Sequence, residues 1–307
     1  MEIFQKTVLK PAKFEGIGLH TGLPSQITVL PGKEDTGIVF KRVDQEKNNL
    51  VEAQIHNVCS AKLCTMIKNE FNVRVSTIEH LMAAFYIVGI DNAVVEINNQ
   101  EVPIMDGSSK EFVAKLSDSG FQTQKKKRKF IKILKKISLN EDNKTLEAEP
   151  NNLSLKTTFE LGYENKIIGN QKNSIDFLND DLSDVYNSRT FCLLEDVEKI
   201  KKAGLAKGGS LENAIVVDHD RVLNEDGLRN AKEFVNHKIL DLAGDFFLTG
   251  YRMIGSLNCR QGGHQLSINF LLKLLKDNSN FLVFESVTED KKDENSQNLV
   301  HKLAVNA

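Results

Sequence analysis

The chain contains 307 residues, a length that fits about two domains of average size. Its 40 Lys and Arg residues nearly balance 42 Asp and Glu residues. The chain therefore lacks the excess of basic residues that a dedicated nucleic-acid-binding protein carries. With 40% hydrophobic and 27% charged residues, the composition is that of a folded globular protein. No apolar run reaches the roughly 18 residues of a membrane-spanning helix and no secretory signal is visible, so we expect a cytoplasmic protein without stable membrane insertion.

The first half of the chain is predicted to form short strands followed by helices. Thr77 can cap a helix whose apolar residues recur at helical spacing, and Gly89 would end that helix. The expected elements are strands over residues 26–30, 37–40 and 93–97, and helices over residues 77–88 and 111–116.

The second half repeats part of this pattern. Its expected elements are strands over residues 145–149, 153–159 and 214–217, a strand or loop over 185–191, and helices over 194–202 and 234–248. A helix, a glycine and an apolar strand follow one another at 77–97 and again at 234–257, which suggests a duplication. We divide the chain into residues 1–124, residues 125–280, and a C-terminal segment, 281–307, with a charged stretch at 288–298 that is expected to be mobile.

A basic run at residues 125–136 allows two interpretations. It could be a contact surface for nucleic acid or anionic lipid, in a protein that binds without a metal. Apolar residues are interleaved with the lysines, however, which favours a linker that enters a strand with a solvated basic face. We therefore predict no nucleic-acid partner.

The four cysteines do not form a disulfide framework, because they are few, scattered and never at Cys-x-x-Cys spacing. We interpret all of them as reduced and as buried small apolar residues; they are Cys59, Cys64, Cys192 and Cys259.

Two histidines stand beside acidic residues at spacings that suit metal chemistry. His237 and Asp241 are four residues apart on the strongest predicted helix, so both project from one face and can chelate a metal. A catalytic zinc takes three protein ligands, and the best third candidate is His80, which follows Glu79. Glu79 would then serve as the base for a metal-activated water. The alternative is an ordinary surface pair beside an unrelated Glu-His dipeptide.

Asp245 lies one further step of four along the same helical face. A carboxylate there could hold a neighbouring imidazole in one tautomer and raise its pKa, which makes a proton donor. His264 is a plausible partner, because the preceding Gly262 and Gly263 allow a close approach of the backbone. The alternative for the two glycines is an ordinary turn.

Nine separate motifs resemble one family, the UDP-3-O-acyl-N-acetylglucosamine deacetylases of lipid A biosynthesis. In the expected order they are residues 16–22 (GIGLHTG), 76–84 (STIEHLMAA), 89–92 (GIDN), 103–108 (PIMDGS), 188–191 (SRTF), 208–210 (GGS), 221–229 (RVLNEDGLR), 237–245 (HKILDLAGD) and 263–264 (GH). The resemblance implies an α+β fold of two similar domains, each with a sheet and helices packed in layers, and an active site between them.

The resemblance also implies roles for particular residues. Zn²⁺ would be held by His80, His237 and Asp241. Glu79 resembles the general base, and His264, oriented by Asp245, resembles the group that protonates the leaving amine. Thr190 resembles the hydroxyl donor to the tetrahedral oxyanion.

The substrate of the family is a UDP-linked, acylated amino sugar. Positions that match its substrate contacts are Lys238, Phe191, Leu19, Gly209 and Ser210. The family binds the acyl chain in an apolar passage formed by an insert, which here would lie within residues 193–217. Its lining would include Leu194, Val197, Leu205 and Leu211, for which plain core packing is the alternative.

The chain departs from the family pattern at three positions. Gln261 and Gly262 stand where a basic residue and a serine are common, so either Gln261 or Arg260 could replace the usual basic contact to the diphosphate. Asn236 stands where an arginine often precedes the ligand histidine. We interpret His20, in the first motif, as structural or as a neighbour of the ligands.

The leading hypothesis is a monomeric zinc deacetylase that hydrolyses the N-acetyl group of UDP-3-O-(3-hydroxyacyl)-N-acetylglucosamine. One alternative is a zinc amidohydrolase that acts on another acylated sugar nucleotide. The other is the metal-free binding module whose contact surface would be the basic run.

Overall fold

The computed structural model describes residues 2–286 of the chain. The helices are α1 Glu79–Val88, α2 Lys110–Asp118, α3 Ser183–Tyr186, α4 Leu194–Lys202, α5 Glu233–Phe246 and α6 His264–Leu275, with 3₁₀ turns at Ile55–Asn57, Phe247–Thr249 and Asn278–Asn280. None of the helices in this part of the chain is long and apolar enough to cross a bilayer. The charged stretch at 288–298 lies outside the described residues.

Ten strands belong to the first part of the chain. They are β1 Phe4–Val8, β2 Ala12–Ile17, β3 Pro24–Pro31, β4 Ile38–Arg42, β5 Leu50–Glu52, β6 Val58–Ser60, β7 Met66–Lys68, β8 Arg74–Ser76, β9 Ala93–Ile97 and β10 Phe121–Lys127. A five-stranded sheet has the order β2-β3-β9-β4-β5, and its central β9 pairs antiparallel with β3 and parallel with β4. Strands β6, β7 and β8 form a small separate sheet, and β1 pairs with β10.

Ten more strands follow. They are β11 Lys129–Ile133, β12 Ile137–Glu141, β13 Lys144–Glu149, β14 Leu155–Gly162, β15 Asn170–Asp176, β16 Phe191–Leu193, β17 Ile215–Asp218, β18 Arg221–Val222, β19 Arg252–Arg260 and β20 Phe281–Glu285. The long β19 organises a seven-stranded sheet, because it pairs with β11, β13 and β14. Strands β16, β17 and β18 form a small sheet of their own, next to α4.

The two helices of the predicted repeat, α1 and α5, pack against each other in the interior of the protein. Helix α1 ends at Gly89 and leads into the central β9, while α5 and its 3₁₀ turn end at Gly250 and lead into β19; both glycines have positive φ. Helices α1 and α5 pack against each other, and nearly all of their residues are buried. The α+β fold expected from the sequence is confirmed, whereas the domain division at residue 124 stays a prediction.

Gly244 sets the distance between these two helices. A Cβ atom added to this residue would lie 2.1 Å from the carbonyl oxygen of Glu79, a backbone atom that cannot move aside easily. The residues of α5 therefore approach the first turn of α1 more closely than a side chain at position 244 would allow.

We expect Gly244→Ala to destabilise the protein by about 1–3 kcal/mol, although alanine favours a helix more than glycine does. The reason is the backbone clash with Glu79. Gly263→Ala is the matched control, because nothing lies within 4 Å of its added Cβ atom and its backbone is extended. Urea unfolding of both variants measures the difference, and equal stabilities would contradict close packing at Gly244.

Several local predictions were wrong. Thr77 does not cap α1: its φ is 57° and its hydroxyl donates to Glu101, a buried carboxylate that needs donors. The segment 185–191 is mostly a loop, as expected, but it starts in the short helix α3 and ends at the first residue of β16. Cys59 is exposed and Cys192 half-buried, because both lie in short strands of small sheets; only the other two cysteines are buried.

The basic run forms strands rather than a linker, since β10 extends to Lys127 and β11 begins at Lys129. Its lysines are largely solvated, as expected, and several form ion pairs; Lys126 pairs with Asp35, and Lys136 contacts Glu149 at 2.9 Å. The basic face is thus partly neutralised within the fold.

Candidate active site

The candidate site lies where the first turn of α1 faces the middle of α5. Helix α5 carries His237, Asp241 and Asp245 at successive steps of four, so all three side chains project from one face. Helix α1 presents Glu79 and His80 to that face, because Gly244 allows the two helices to approach closely. All five residues are buried.

Three of these side chains form a possible metal-binding group. One ligand atom each from His80, His237 and Asp241 lies within 4.8 Å of the other two. Asp241 Oδ1 is 3.3 Å from His237 Nε2 and 3.6 Å from His80 Nε2. The structure therefore brings together the ligand set expected from the sequence.

The chemistry of the three donors fits a divalent cation. Asp241 Oδ1 is buried and has no hydrogen-bond partner among the described residues, whereas Oδ2 accepts from Lys238 Nζ at 3.0 Å. His237 Nδ1 lies 3.1 Å from the Ser188 carbonyl oxygen, to which it can donate, and this leaves the Nε2 lone pair facing Asp241. Burial lowers the pKa of both imidazoles, that of His237 to about 3. Both rings are therefore neutral, and each can offer a nitrogen lone pair to a metal. A buried unpartnered carboxylate oxygen beside two neutral imidazoles is a suitable cation site.

Glu79 lies beside this group without belonging to it. Its Oε2 accepts a hydrogen bond from the backbone N–H of Thr65 at 3.0 Å, and its Oε1 is 3.7 Å from His264 Nε2. Burial raises the pKa of Glu79 to about 7, although the charge of His264 opposes the shift. A carboxylate with such a pKa can both accept and release a proton near neutral pH.

His264 begins α6 and forms a buried pair with Asp245. Its Nδ1 is 2.8 Å from Asp245 Oδ2, while Asp245 Oδ1 accepts from the Thr65 hydroxyl at 2.6 Å. Burial opposes a charge on His264, but Asp245, Asp241 and Glu79 raise its pKa to about 10. The imidazole is therefore a cation that can donate a proton from Nε2.

Thr190 contacts the first half of the chain, and the neighbouring Phe191 packs near His237. The Thr190 backbone N–H donates to the Gly107 carbonyl at 2.8 Å, and its hydroxyl makes no hydrogen bond within residues 2–286. Lys238 Nζ lies 5.5 Å from the centre of the Phe191 ring, which also contacts the His237 ring edge at 6.4 Å between centroids. Lys238 is thus held by Phe191 and Asp241.

The loop of residues 16–22 docks on the segment 203–214. The Leu19 carbonyl accepts from the Gly208 N–H at 3.0 Å, and a Cβ atom on Gly208 would lie 2.4 Å from the Gly18 carbonyl oxygen. Leu19 also lies next to Gly209. Ser210 is exposed, and its hydroxyl accepts from the N–H of residue 212. Three of the predicted contact residues, Leu19, Gly209 and Ser210, therefore lie at one loop junction.

Helix α4, which directly precedes this segment in the chain, is a small amphipathic helix with no fully buried residue. Leu194 is 40% exposed, and Val197 is half-buried. Of the other residues expected along the passage, Leu205 is half-buried and Leu211 is 45% exposed. None of these four side chains is fully buried.

The residues that depart from the family pattern have local partners. The Gln261 side chain bonds both backbone groups of Gly162, while Arg260 at the end of β19 is exposed. Asn236 is buried and bonds Asn173 and Asn230. His20 Nδ1 accepts weakly from the Ala206 N–H at 3.4 Å, and its buried Nε2 has no partner among the described residues.

Sequence reasoning missed three residues that hold the site. Thr65 contacts both Glu79 and Asp245, and nothing in its short loop signals this. The Ser188 carbonyl orients His237, and its position in the motif SRTF was the available signal. Glu101 accepts from the N–H groups of His20 and Thr21 at 2.8 Å, so it fixes the loop of residues 16–22.

Two imidazoles and an aspartate around a candidate cation position, with a buried glutamate and a protonated imidazole alongside, are typical of metal-dependent hydrolases. Comparison with known proteins gives the family. The model of the LpxC family, described as UDP-3-O-acyl N-acetylglycosamine deacetylase, matches residues 5–276. The chain belongs to this family, which confirms the resemblance found in the sequence.

Curated relatives cover most of the chain. A UDP-3-O-acyl-N-acetylglucosamine deacetylase of Citrifermentans bemidjiense is 42% identical over 275 residues, covering 89% of this chain and 90% of the relative. Proteins of the same name from Phenylobacterium zucineum and Idiomarina loihiensis are 41% and 39% identical over 277 and 292 residues. The former match covers 89% of this chain and 93% of the relative, and the latter 94% of each.

Proposed function

We propose that this chain is the deacetylase of lipid A biosynthesis that hydrolyses the N-acetyl group of UDP-3-O-(3-hydroxyacyl)-N-acetylglucosamine. Its products are acetate and the UDP-linked 3-O-acyl-glucosamine. The observation that carries the proposal is the buried group of His80, His237 and Asp241, flanked by Glu79 and His264, in a member of this family.

The cation at this group is Zn²⁺, held by His80, His237 and Asp241. Two neutral imidazoles and one carboxylate are ligands that zinc accepts, and tetrahedral zinc with bonds of about 2.0–2.1 Å has ligand atoms about 3.3 Å apart. The observed separations of 3.3 and 3.6 Å from Asp241 Oδ1 support this choice. When bound, zinc supplies a Lewis acid that polarises the amide carbonyl and acidifies a water molecule.

Glu79 acts as the general base. Its Oε1 faces the cluster, its other oxygen is held by the Thr65 N–H, and its raised pKa of about 7 allows it to take a proton from the attacking water. Glu79 is free for this task because the candidate metal group does not include it.

His264 protonates the departing amine. The Asp245 carboxylate fixes the imidazole through Nδ1, so Nε2 carries the proton that is transferred. The Thr190 hydroxyl, which has no partner among the described residues, is free to donate a hydrogen bond. It donates this bond to the oxyanion that forms as the carbonyl is attacked. The cationic His264 also stabilises this developing negative charge.

The polar part of the substrate binds around Lys238. Its ammonium group and the Phe191 ring lie beside the cluster, and Leu19, Gly209 and Ser210 lie at the adjacent loop junction. Because Gln261 is bonded to the backbone of Gly162, exposed Arg260 is the residue of that loop that is available to contact the diphosphate.

The acyl chain binds along the insert of residues 193–217. Leu194 and Val197 lie on one face of α4, three residues apart, and the partial exposure of both leaves apolar surface for a ligand. Plain core packing would bury such residues fully, so their exposure supports a passage.

The enzyme works as a monomer in the cytoplasm, with its site between domains of residues 1–124 and 125–280. One chain supplies all candidate ligands and both acid–base groups, and its four cysteines are unpaired, which suits a reducing compartment.

The purified enzyme is expected to contain about one zinc per chain and to release acetate from the acylated substrate. A chelator should abolish turnover and added zinc should restore it. Omission of the 3-O-acyl chain should lower kcat/KM more than about 10-fold, since each buried CH₂ contributes about 0.8 kcal/mol. Equal turnover without the chain would favour an amidohydrolase for another sugar nucleotide; absence of both metal and acetate release would favour a binding module.

A further inference from the structure

Thr65 connects the two carboxylates that flank the candidate metal group. It lies at the end of the loop between β6 and β7 and is fully buried. Its backbone N–H donates to Glu79 Oε2 at 3.0 Å, and its hydroxyl donates to Asp245 Oδ1 at 2.6 Å. One residue thus holds one oxygen of each carboxylate.

The remaining oxygens of these carboxylates both point to His264. Glu79 Oε1 is 3.7 Å from His264 Nε2, and Asp245 Oδ2 is 2.8 Å from His264 Nδ1. Thr65, Glu79, His264 and Asp245 therefore form a closed ring of contacts. Within residues 2–286, the Thr65 hydroxyl is the only donor to Asp245 Oδ1, so its loss would leave a buried carboxylate oxygen unpaired.

We propose that Thr65 is a positioning residue for the deacetylation, which sets the base Glu79 and the acid His264 relative to each other through its two hydrogen bonds. The inference rests on the proposed function, because it assumes that these two groups exchange protons with water and amine. Hydrogen bonds beyond the reacting groups fix rotamers to within the tolerance that catalysis requires.

The separation of Thr65 from its partners along the chain strengthens the inference. Asp245 is 180 residues away, and Glu79 is 14 residues away on a different element. Thr65, a residue of the first half of the chain, therefore fixes the orientation of a carboxylate in the second half. A threonine needed only for packing would not require a donor aimed at Asp245.

The test uses Thr65→Val and Thr65→Ser in the full-length, zinc-loaded enzyme. Valine keeps the shape and the backbone N–H but removes the hydroxyl, whereas serine keeps the hydroxyl. We expect Thr65→Val to lower kcat by about 10–100-fold, with KM and zinc content unchanged, and Thr65→Ser to retain most of the activity. Thr157→Val is the matched control, because Thr157 is buried in β14 and its hydroxyl bonds neither carboxylate.

A second readout follows the imidazole directly. In protein labelled with ¹⁵N-histidine, the His264 ring signals are assigned by their absence in His264→Gln. Thr65→Val is expected to shift the His264 Nδ1 signal in both metal-free and zinc-loaded protein, because Asp245 loses its second partner. In an Asp245→Asn background, Thr65→Val should have little further effect on kcat, since coupled residues are not additive.

The outcomes separate the inference from the proposed function. Full kcat and an unshifted His264 signal in Thr65→Val, with Glu79→Gln and His264→Gln both inactive, would overturn the role of Thr65 alone. Activity retained in Glu79→Gln and His264→Gln would instead overturn the roles on which it rests. Should Thr65→Val not fold, Thr65→Ala removes the same hydroxyl with less bulk and is held to the same criteria.

Discussion

Replacing Glu79 with Gln is expected to lower kcat for acetate release by about 10²–10⁴-fold while zinc stays bound. Glutamine keeps the shape of the side chain and can accept the hydrogen bond from the Thr65 N–H, but it cannot take a proton from water. Zinc should remain because the candidate ligand group does not include Glu79. Acetate release and metal analysis on the same preparation measure the two effects.

The control for this variant is Glu111→Gln. Glu111 lies on α2, its side chain is 43% exposed, and within residues 2–286 its side chain makes only a long contact with Lys115 at 3.9 Å. The chemical change is the same, so kcat should not change. If Glu79→Gln carried full zinc and turned over like the parent enzyme, Glu79 would not be the base.

Replacing His237 with Ala is expected to remove the zinc and reduce acetate release to background. The substitution deletes one of the three proposed protein ligands, and even the loss of a group that merely orients a ligand typically costs 10–100-fold in metal affinity or activity. Zinc per chain should therefore fall from about one to nearly none under dialysis conditions that leave the parent enzyme loaded.

His219→Ala is the matched control, because the His219 side chain is 89% exposed and does not belong to the candidate metal group. Circular dichroism establishes that both variants are folded. Full zinc binding by folded His237→Ala would rule out His237 as a zinc ligand.

The sequence predicted the helical spacing and the helix ends near the candidate site correctly. The spacing of His237, Asp241 and Asp245 fixed their common face, and Gly89 and Gly250 marked the ends of the central helices. The family motifs supplied the proposed roles of these residues, and the structure places His80, His237 and Asp241 together. That α1 and α5 meet at Gly244 depends on tertiary packing, which no local pattern encodes.

The error at Thr77 and the omission of Thr65 have the same physical cause. Thr77 has the composition of a helix cap, but the buried carboxylate of Glu101 competes for its hydroxyl. Thr65 has no informative neighbours, since its partner Asp245 is 180 residues away and the contact with Glu79 uses the backbone. Hydrogen bonds between distant segments are decided by the fold, so only coordinates reveal them.

The division of the proposed ligands between two helices has a mechanical consequence. His80 comes from α1, whereas His237 and Asp241 come from α5. A cation bound by all three side chains would therefore link the two helices. Any ligand that binds only the assembled form stabilises it by mass action. Loss of the ion would therefore weaken the packing of α1 against α5 as well as stop the chemistry.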